Sequence, residues 1–277
     1  MGYWEDRQAA VQAELTKKNV AAVERQVGKY YADTQRKIIG QFQQTYNHIL
    51  SSIEAGRQPT PADLYKLDTY WQMQAEVTAE LTKLGNKQAE ILNRAFIMQY
   101  KSIYEATAIE GLAHFNLLDT QAIDSMINAI WCADGKHWSS RIWKNTSELQ
   151  ETLNQELIDC LVTGRNPTYL KQRLMQSFNV SYARADSLVR TEMAHIQIQA
   201  AEQRYIDSGV NYIEVWADKD ERQCEVCGKL HKKVFPIGVK VPIPAHPNCR
   251  CSILPVIEEL RQPVAEPKDF KPIPIRK

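Results

Sequence analysis

The chain has 277 residues, of which 44% are hydrophobic and 24% charged, with 34 Lys and Arg against 33 Asp and Glu. That is enough apolar material for one large or two modest cores, and so even a charge balance lacks the basic excess expected of a nucleic-acid-binding domain. No apolar run approaches the ~20 residues of a membrane span. Met1-Gly2-Tyr3-Trp4-Glu5-Asp6 lacks the basic-then-apolar order of a signal peptide, and Asp6 stands where a myristoylation signal wants Ser or Thr. The expectation is folding in a reducing cytoplasm, where cysteines serve as thiolate metal ligands more readily than as disulfides.

Residues 5–54 read as one long helix or two collinear ones. Val11, Leu15, Val23, Val27, Tyr30, Ile38, Phe42, Tyr46, Ile49 and Ile53 recur at helical steps. Ala55-Gly56-Arg57-Gln58-Pro59 breaks the pattern. Thr60 suits an N-cap and Pro61 the first helical position, which starts a helix to about Leu84. Gly85-Asn86 reads as a break before a helix from Lys87 to Ala108. Tyr70, Trp71, Phe96, Tyr100 and Tyr104 form an aromatic stripe, which is read as helix packing.

Asp119 suits the cap of a helix through Cys132, ended by Ala133-Asp134-Gly135. Another helix runs from Trp138 to Val162, with Gly164 as its stop. Asn166-Pro167 starts a helix to about Phe178, and Ser181 caps a further one over 182–207, ended by Gly209. There the period changes. Asn211–Trp216, Lys233-Val234-Phe235, Val239-Lys240-Val241 and Ser252-Ile253-Leu254 read as short strands, kept short by Pro236, Pro242, Pro244 and Pro247. Residues 261–277 carry four prolines and mixed charges and read as an extended tail. The fold class is α+β, mainly α: a long, bundle-like helical body and a small β-rich module. The expected divisions are a long-helix region over 1–110, a second helical part over 111–210, the β-module over 211–256 and the tail over 257–277.

Four of the six cysteines fall within the β-module. Cys224-x2-Cys227 lets one tight turn aim two sulfurs at a single ion, and His246-x2-Cys249 supplies a second pair. Tetrahedral zinc needs four such ligands, and a closed Cys/His shell is the mark of a structural site. Cys251 is a fifth candidate, because in an extended chain it points the same way as Cys249. Cys224, Cys227, His246 and Cys249 are favoured, with Cys251 in reserve. The physical motive is that a short, proline-rich module with few large apolar residues needs a staple. A disulfide and free buried thiols remain the alternatives. Cys132 and Cys160 read as small buried apolar residues. His231 is a weaker ligand candidate, and Asp218, Asp220, Glu221 and Glu225 read as solvated acids flanking a turn. Glu192-x2-His195 has the spacing of a di-metal bundle ligand pair, but no second such pair exists, so it reads as structural.

The ordered string Arg190-Thr191-Glu192, Gly209-Val210-Asn211-Tyr212, Asp220-Glu221-Arg222-x-Cys224-x2-Cys227, Lys233-Val234-Phe235 and His246-Pro247-Asn248-Cys249-Arg250-Cys251 resembles the Mu F-like phage minor head proteins, also called phage head morphogenesis proteins. Trp138-Ser139-x-Arg141-Ile142-Trp143 is similar to versions from phages and prophages of Gram-positive bacteria. The resemblance covers about residues 110–256. It implies a non-enzymatic, low-copy virion component made in the host cytoplasm and placed in the phage head near the portal. Its implied partners are the portal protein, the major capsid or scaffolding protein and phage DNA, and its role is in procapsid assembly, DNA packaging or ejection. The polar faces of the long helices also offer surfaces for self-association.

Two other functions compete. A zinc-stabilised nuclease with His246 as general base needs an open cation site, whereas His246 is better employed as a ligand. A DNA-binding accessory ejected with the genome would use Lys229, Lys232, Lys233, Lys240 and Arg250. Residues 211–256 hold seven Lys and Arg against five Asp and Glu, which reads as a solvated surface instead. Arg190 and Glu192 are candidates to brace the last helix against the Cys/His module.

Overall fold

A computed structural model describes residues 3–51, 57, 59–109, 120–132, 134–217 and 223–257. The elements in chain order are α1 (Tyr3–Ser51), α2 (Pro61–Leu64), α3 (Asp68–Ala106), α4 (Thr120–Ile127), α5 (Trp138–Val162), α6 (Pro167–Asp207), β1 (Tyr212–Trp216), α7 (Glu225–Leu230), β2 (Val234–Pro236) and β3 (Ser252–Val256). The protein is mainly helical, with one three-stranded antiparallel sheet near its C-terminal end, as composition and periodicity lead one to expect. Ile53, Asp119 and the tail lie outside the described residues.

Two compact units are formed. One comprises Met1–Val23, Leu92–His137 and Ser187–Lys277; the other comprises Glu24–Ile91 and Trp138–Asp186. In the second unit, α1 buries Val27, Tyr31, Ile38, Phe42, Tyr46 and Ile49, and α3 buries Tyr70, Met73, Val77, Leu81 and Leu84. The steps of three, four and seven keep each set on one helix face. From α5, Leu149, Leu153, Leu157 and Leu161 complete this core together with Leu170, Leu174 and Phe178 of α6. Tyr31, not Tyr30, occupies the buried stripe, and Trp71 stands 55% exposed beside buried Tyr70. Cys160 is buried as expected, and Cys132 is half-buried.

Three helix boundaries differ from expectation. The helix expected from Thr60 to Leu84 is interrupted between Leu64 and Asp68, after a complete capping box between Thr60 and Asp63. The expected break at Gly85-Asn86 does not occur: α3 runs through it, and Gly85 serves close packing against Trp143. Ser181 is not a cap either, because α6 is continuous from Pro167 to Asp207. Its side chain is used inside the core: Ser181 Oγ lies 3.3 Å from the Tyr31 hydroxyl, and Asn145 Nδ2 donates to the Ser181 carbonyl at 2.9 Å. Local capping propensity yields here to a buried tertiary hydrogen-bond set. The α4 helix ends at Ile127, earlier than expected.

Two glycine stops hold. Gly164 and Gly209 have φ of 64° and 72°, and each closes a helix with a six-to-one bond, Arg165 N–H to Cys160 C=O and Val210 N–H to Tyr205 C=O, both 3.0 Å.

In the first unit the sheet has the order β2-β1-β3. Ile213 pairs with Phe235 on one side and Pro255 on the other. Val215, Phe235 and Ile253 are buried. Val239-Lys240-Val241 is not a strand. It follows a left-handed Gly238 turn, and Pro242 and Pro244 remove the N–H groups a ladder would need. A buried polar chain ties the sheet to helices of the same unit. Gln12, fully buried on α1 beside 36%-exposed Val11, donates to Ile253 C=O at 3.1 Å and to the Tyr205 hydroxyl at 3.2 Å. Gln197 of α6 donates to Ser252 Oγ at 2.8 Å and accepts the Thr16 hydroxyl at 2.7 Å.

Candidate metal centre

Five side chains meet at one end of the sheet. Cys224 is the N-cap of α7, and its sulfur accepts the Cys227 N–H at 3.3 Å. That bond sets the Cys-x2-Cys turn locally: the same backbone that starts the short helix points both sulfurs to one side. The second half comes from the chain entering β3. Asn248 adopts a left-handed φ of 60°, and Cys249 N–H donates to His246 C=O at 3.2 Å, closing a tight turn between His246 and Cys249. Cys251 follows two residues on.

The donor atoms fall into two groups, each within 4.8 Å: Cys224, Cys227 and His246, and Cys227, Cys249 and Cys251. Cys227 belongs to both. Its sulfur lies 3.3 Å from His246 Nε2 and 3.7 Å from Cys249 Sγ. Around a tetrahedral ion with metal–sulfur bonds of ~2.3 Å, sulfurs stand about 3.8 Å apart and sulfur and nitrogen about 3.6 Å apart. The spacing therefore suits a shared ion as well as it suits thiol contacts. The imidazole is also oriented for the task. His246 Nδ1 lies 2.8 Å from the Pro247 carbonyl, which only accepts, so Nδ1 carries a proton and Nε2 is the nitrogen turned to the sulfurs, able to ligate once an ion displaces its own proton.

Electrostatics point the same way. Cys227, Cys249 and Cys251 are buried, while Cys224 and His246 are half-buried. Thiol donation from Cys227 and Cys251 holds Cys249 well below the ordinary thiol range, and the Cys249 thiolate in turn pushes Cys227 up. Contact with Cys249 raises His246 to about 9. Three buried sulfurs this close cannot all ionise against one another, and a bound cation removes that conflict by supplying the missing positive charge. The all-cysteine group and the mixed cysteine–histidine group thus make a set that can hold a metal ion.

Other sequence candidates fall elsewhere. His231 accepts the Ala217 N–H on Nδ1 at 3.2 Å, stands edge-on to Trp216 and is in neither donor group. Asp218, Asp220 and Glu221 lie outside the described residues. Glu225 is exposed and takes Lys229 at 2.6 Å. Both ring nitrogens of His246 are engaged, Nε2 beside the Cys227 sulfur and Nδ1 beside the Pro247 carbonyl.

Within the Arg190-Thr191-Glu192 string, Thr191 reaches the Cys/His turn. Its hydroxyl accepts the Asn248 N–H at 3.1 Å. Glu192 accepts the Trp131 indole N–H at 2.9 Å, and Trp131 stacks on His195 at 4.2 Å between ring centroids. The sequence marks this string through its charged members, and Thr191 is a contact it did not single out. No periodicity marks Thr191, Gln197 or Trp131, because each acts through a contact more than fifty residues away in the chain.

Comparison with known proteins gives one family. Residues 151–254, from within α5 to β3, match the family described as Phage Mu protein F like protein. This is the family that the ordered motif resembles, and the matched span contains Cys224, Cys227, His246, Cys249 and Cys251. No curated protein and no solved structure matches the chain.

Proposed function

We propose, on the premise that residues 151–254 match the Phage Mu protein F like family, that this chain is a phage minor head protein. In this reading it is a low-copy virion component at the portal vertex, assisting procapsid assembly, DNA packaging or ejection, and it carries no catalytic activity. The observation that carries the reading is the coincidence of the family match with a Cys/His cluster assembled in space from every cysteine and histidine of the ordered motif. Portal protein and major capsid or scaffolding protein are its partners, with phage DNA as a further contact.

The role we assign to the cluster is structural. Four or five soft donors form a closed shell and leave no position for a reacting water, which suits zinc as a staple. The need for one is physical: α7, β2 and β3 are short, and the chain between β2 and β3 contributes little regular hydrogen bonding. No described helix is long and apolar enough to cross a membrane, in keeping with a particle component.

The test is proteomic. Mass spectrometry of purified mature particles should find this chain at a few copies, and affinity capture from infected or induced cells should bring down portal protein. Particles that package and infect without it would remove the reading.

A further inference from the structure

The two halves of the Cys/His cluster are held in different ways. The Cys224–Cys227 half is set by its own backbone, through the capping bond at the start of α7. The His246–Cys251 half lies outside any strand or helix, carries three of the five donors and contains a residue in the left-handed region. A non-glycine residue at positive φ is unfavourable by itself and persists where its surroundings fix it.

Helix α6 supplies that fixation at two points, one inside the segment and one just past its end. Thr191 accepts the N–H of Asn248, between His246 and Cys249, at 3.1 Å. The Thr191 hydroxyl proton is committed to the Ser187 carbonyl one turn back, at 2.7 Å, so a lone pair is left facing Asn248. Nearly two turns along the helix, Gln197 donates to Ser252 Oγ, on the residue after Cys251, at 2.8 Å. Gln197 and Ser252 are both buried, and Gln197 Oε1 is held by Thr16.

We infer that Thr191, with Gln197, is a positioning residue for the metal ligands: α6 templates the His246–Cys251 segment, so that the ligand geometry exists before the ion arrives. This rests on the reading of the cluster as a metal site. Gln197 also serves the polar chain to α1, so Thr191 is the cleaner probe.

The experiment loads the full-length protein with zinc and follows its release to a chromogenic chelator, with Co2+ absorption reporting ligand geometry. Thr191→Val, which keeps the shape and removes the acceptor, should release zinc about tenfold faster and alter the Co2+ spectrum; outer-shell partners of ligands typically matter by this factor or more. Thr191→Ser should restore the wild-type rate, which a merely space-filling role for the methyl group would not give. If Thr191→Val fails to fold, amide exchange of metal-free wild-type protein serves instead: the Asn248 N–H should be protected without metal. Zinc release from Thr191→Val at the wild-type rate, or a metal-free Asn248 amide that exchanges as freely as an open loop, overturns the inference. Wild-type protein that binds no zinc or Co2+ sinks the metal reading itself.

Discussion

Gly85 and Trp143 meet in closer contact than any other side chain would allow. A Cβ on Gly85 would stand 2.7 Å from Cζ3 of Trp143 and 3.1 Å from Cη2. A glycine inside a helix costs about 1 kcal/mol relative to alanine, and here that cost accompanies an indole packed directly on the backbone of α3. Gly85→Ala therefore sets a propensity gain of about 1 kcal/mol against overpacking of about 1–3 kcal/mol. The expected net is a loss of about 1 kcal/mol in denaturant unfolding, with Trp143 fluorescence shifted to the red as the ring is pushed out. In a Trp143→Ala background the same change should stabilise. A Gly85→Ala protein more stable than wild type would show that the ring yields at no cost.

His195 lies under Trp131, their rings 4.2 Å apart and within 10° of parallel. Burial, and then the Lys240 cation, lower its pKa from the usual histidine value to about 3. The folded protein thus keeps this ring neutral where the unfolded chain protonates it. Between about pH 6.5 and pH 3 the unfolded state binds the extra proton, so stability falls as pH falls through that window and is fully present above it. The slope contributed is up to about 1.4 kcal/mol per pH unit. His195→Phe retains the stack and removes the titration. Its unfolding free energy should lose less than that of wild type between about pH 6.5 and pH 4. Parallel pH profiles for the two proteins would contradict the assignment.

Cys227 is common to both donor groups, and Cys251 belongs to one of them. With five candidates for four positions, the ligands are unequal. Elemental analysis of the purified protein should find one zinc per chain. Cys251→Ser should retain it, because Cys224, Cys227, His246 and Cys249 remain. Cys227→Ser should lose it and unfold the C-terminal module, since site binding and folding are linked. Equal metal loss in both variants would argue against a mononuclear site with a spare thiol.

Much of this was legible in the sequence for identifiable reasons. The Cys-x2-Cys and His-x2-Cys spacings encode local turns, so they announce themselves without tertiary information. Gly164 and Gly209 end helices because each must adopt positive φ, a demand visible in residue type. Gly85 and Ser181 misled, because their residue types signal breaks and caps while their use is tertiary: one admits Trp143, the other joins Tyr31 and Asn145 in a buried polar set. Gln12 shows the same limit. It holds a stripe position that periodicity reserves for an apolar residue, because it satisfies the carbonyl of Ile253, 241 residues away.

The central functional claim is a position in a particle, and an electron-microscopy map of the assembled phage head locates this chain directly. Density for a minor head protein of this kind is expected at the portal vertex, in a few copies, with the Cys/His module ordered. Density at every capsomer of the shell, or a complete, infectious particle lacking the chain, would contradict that position.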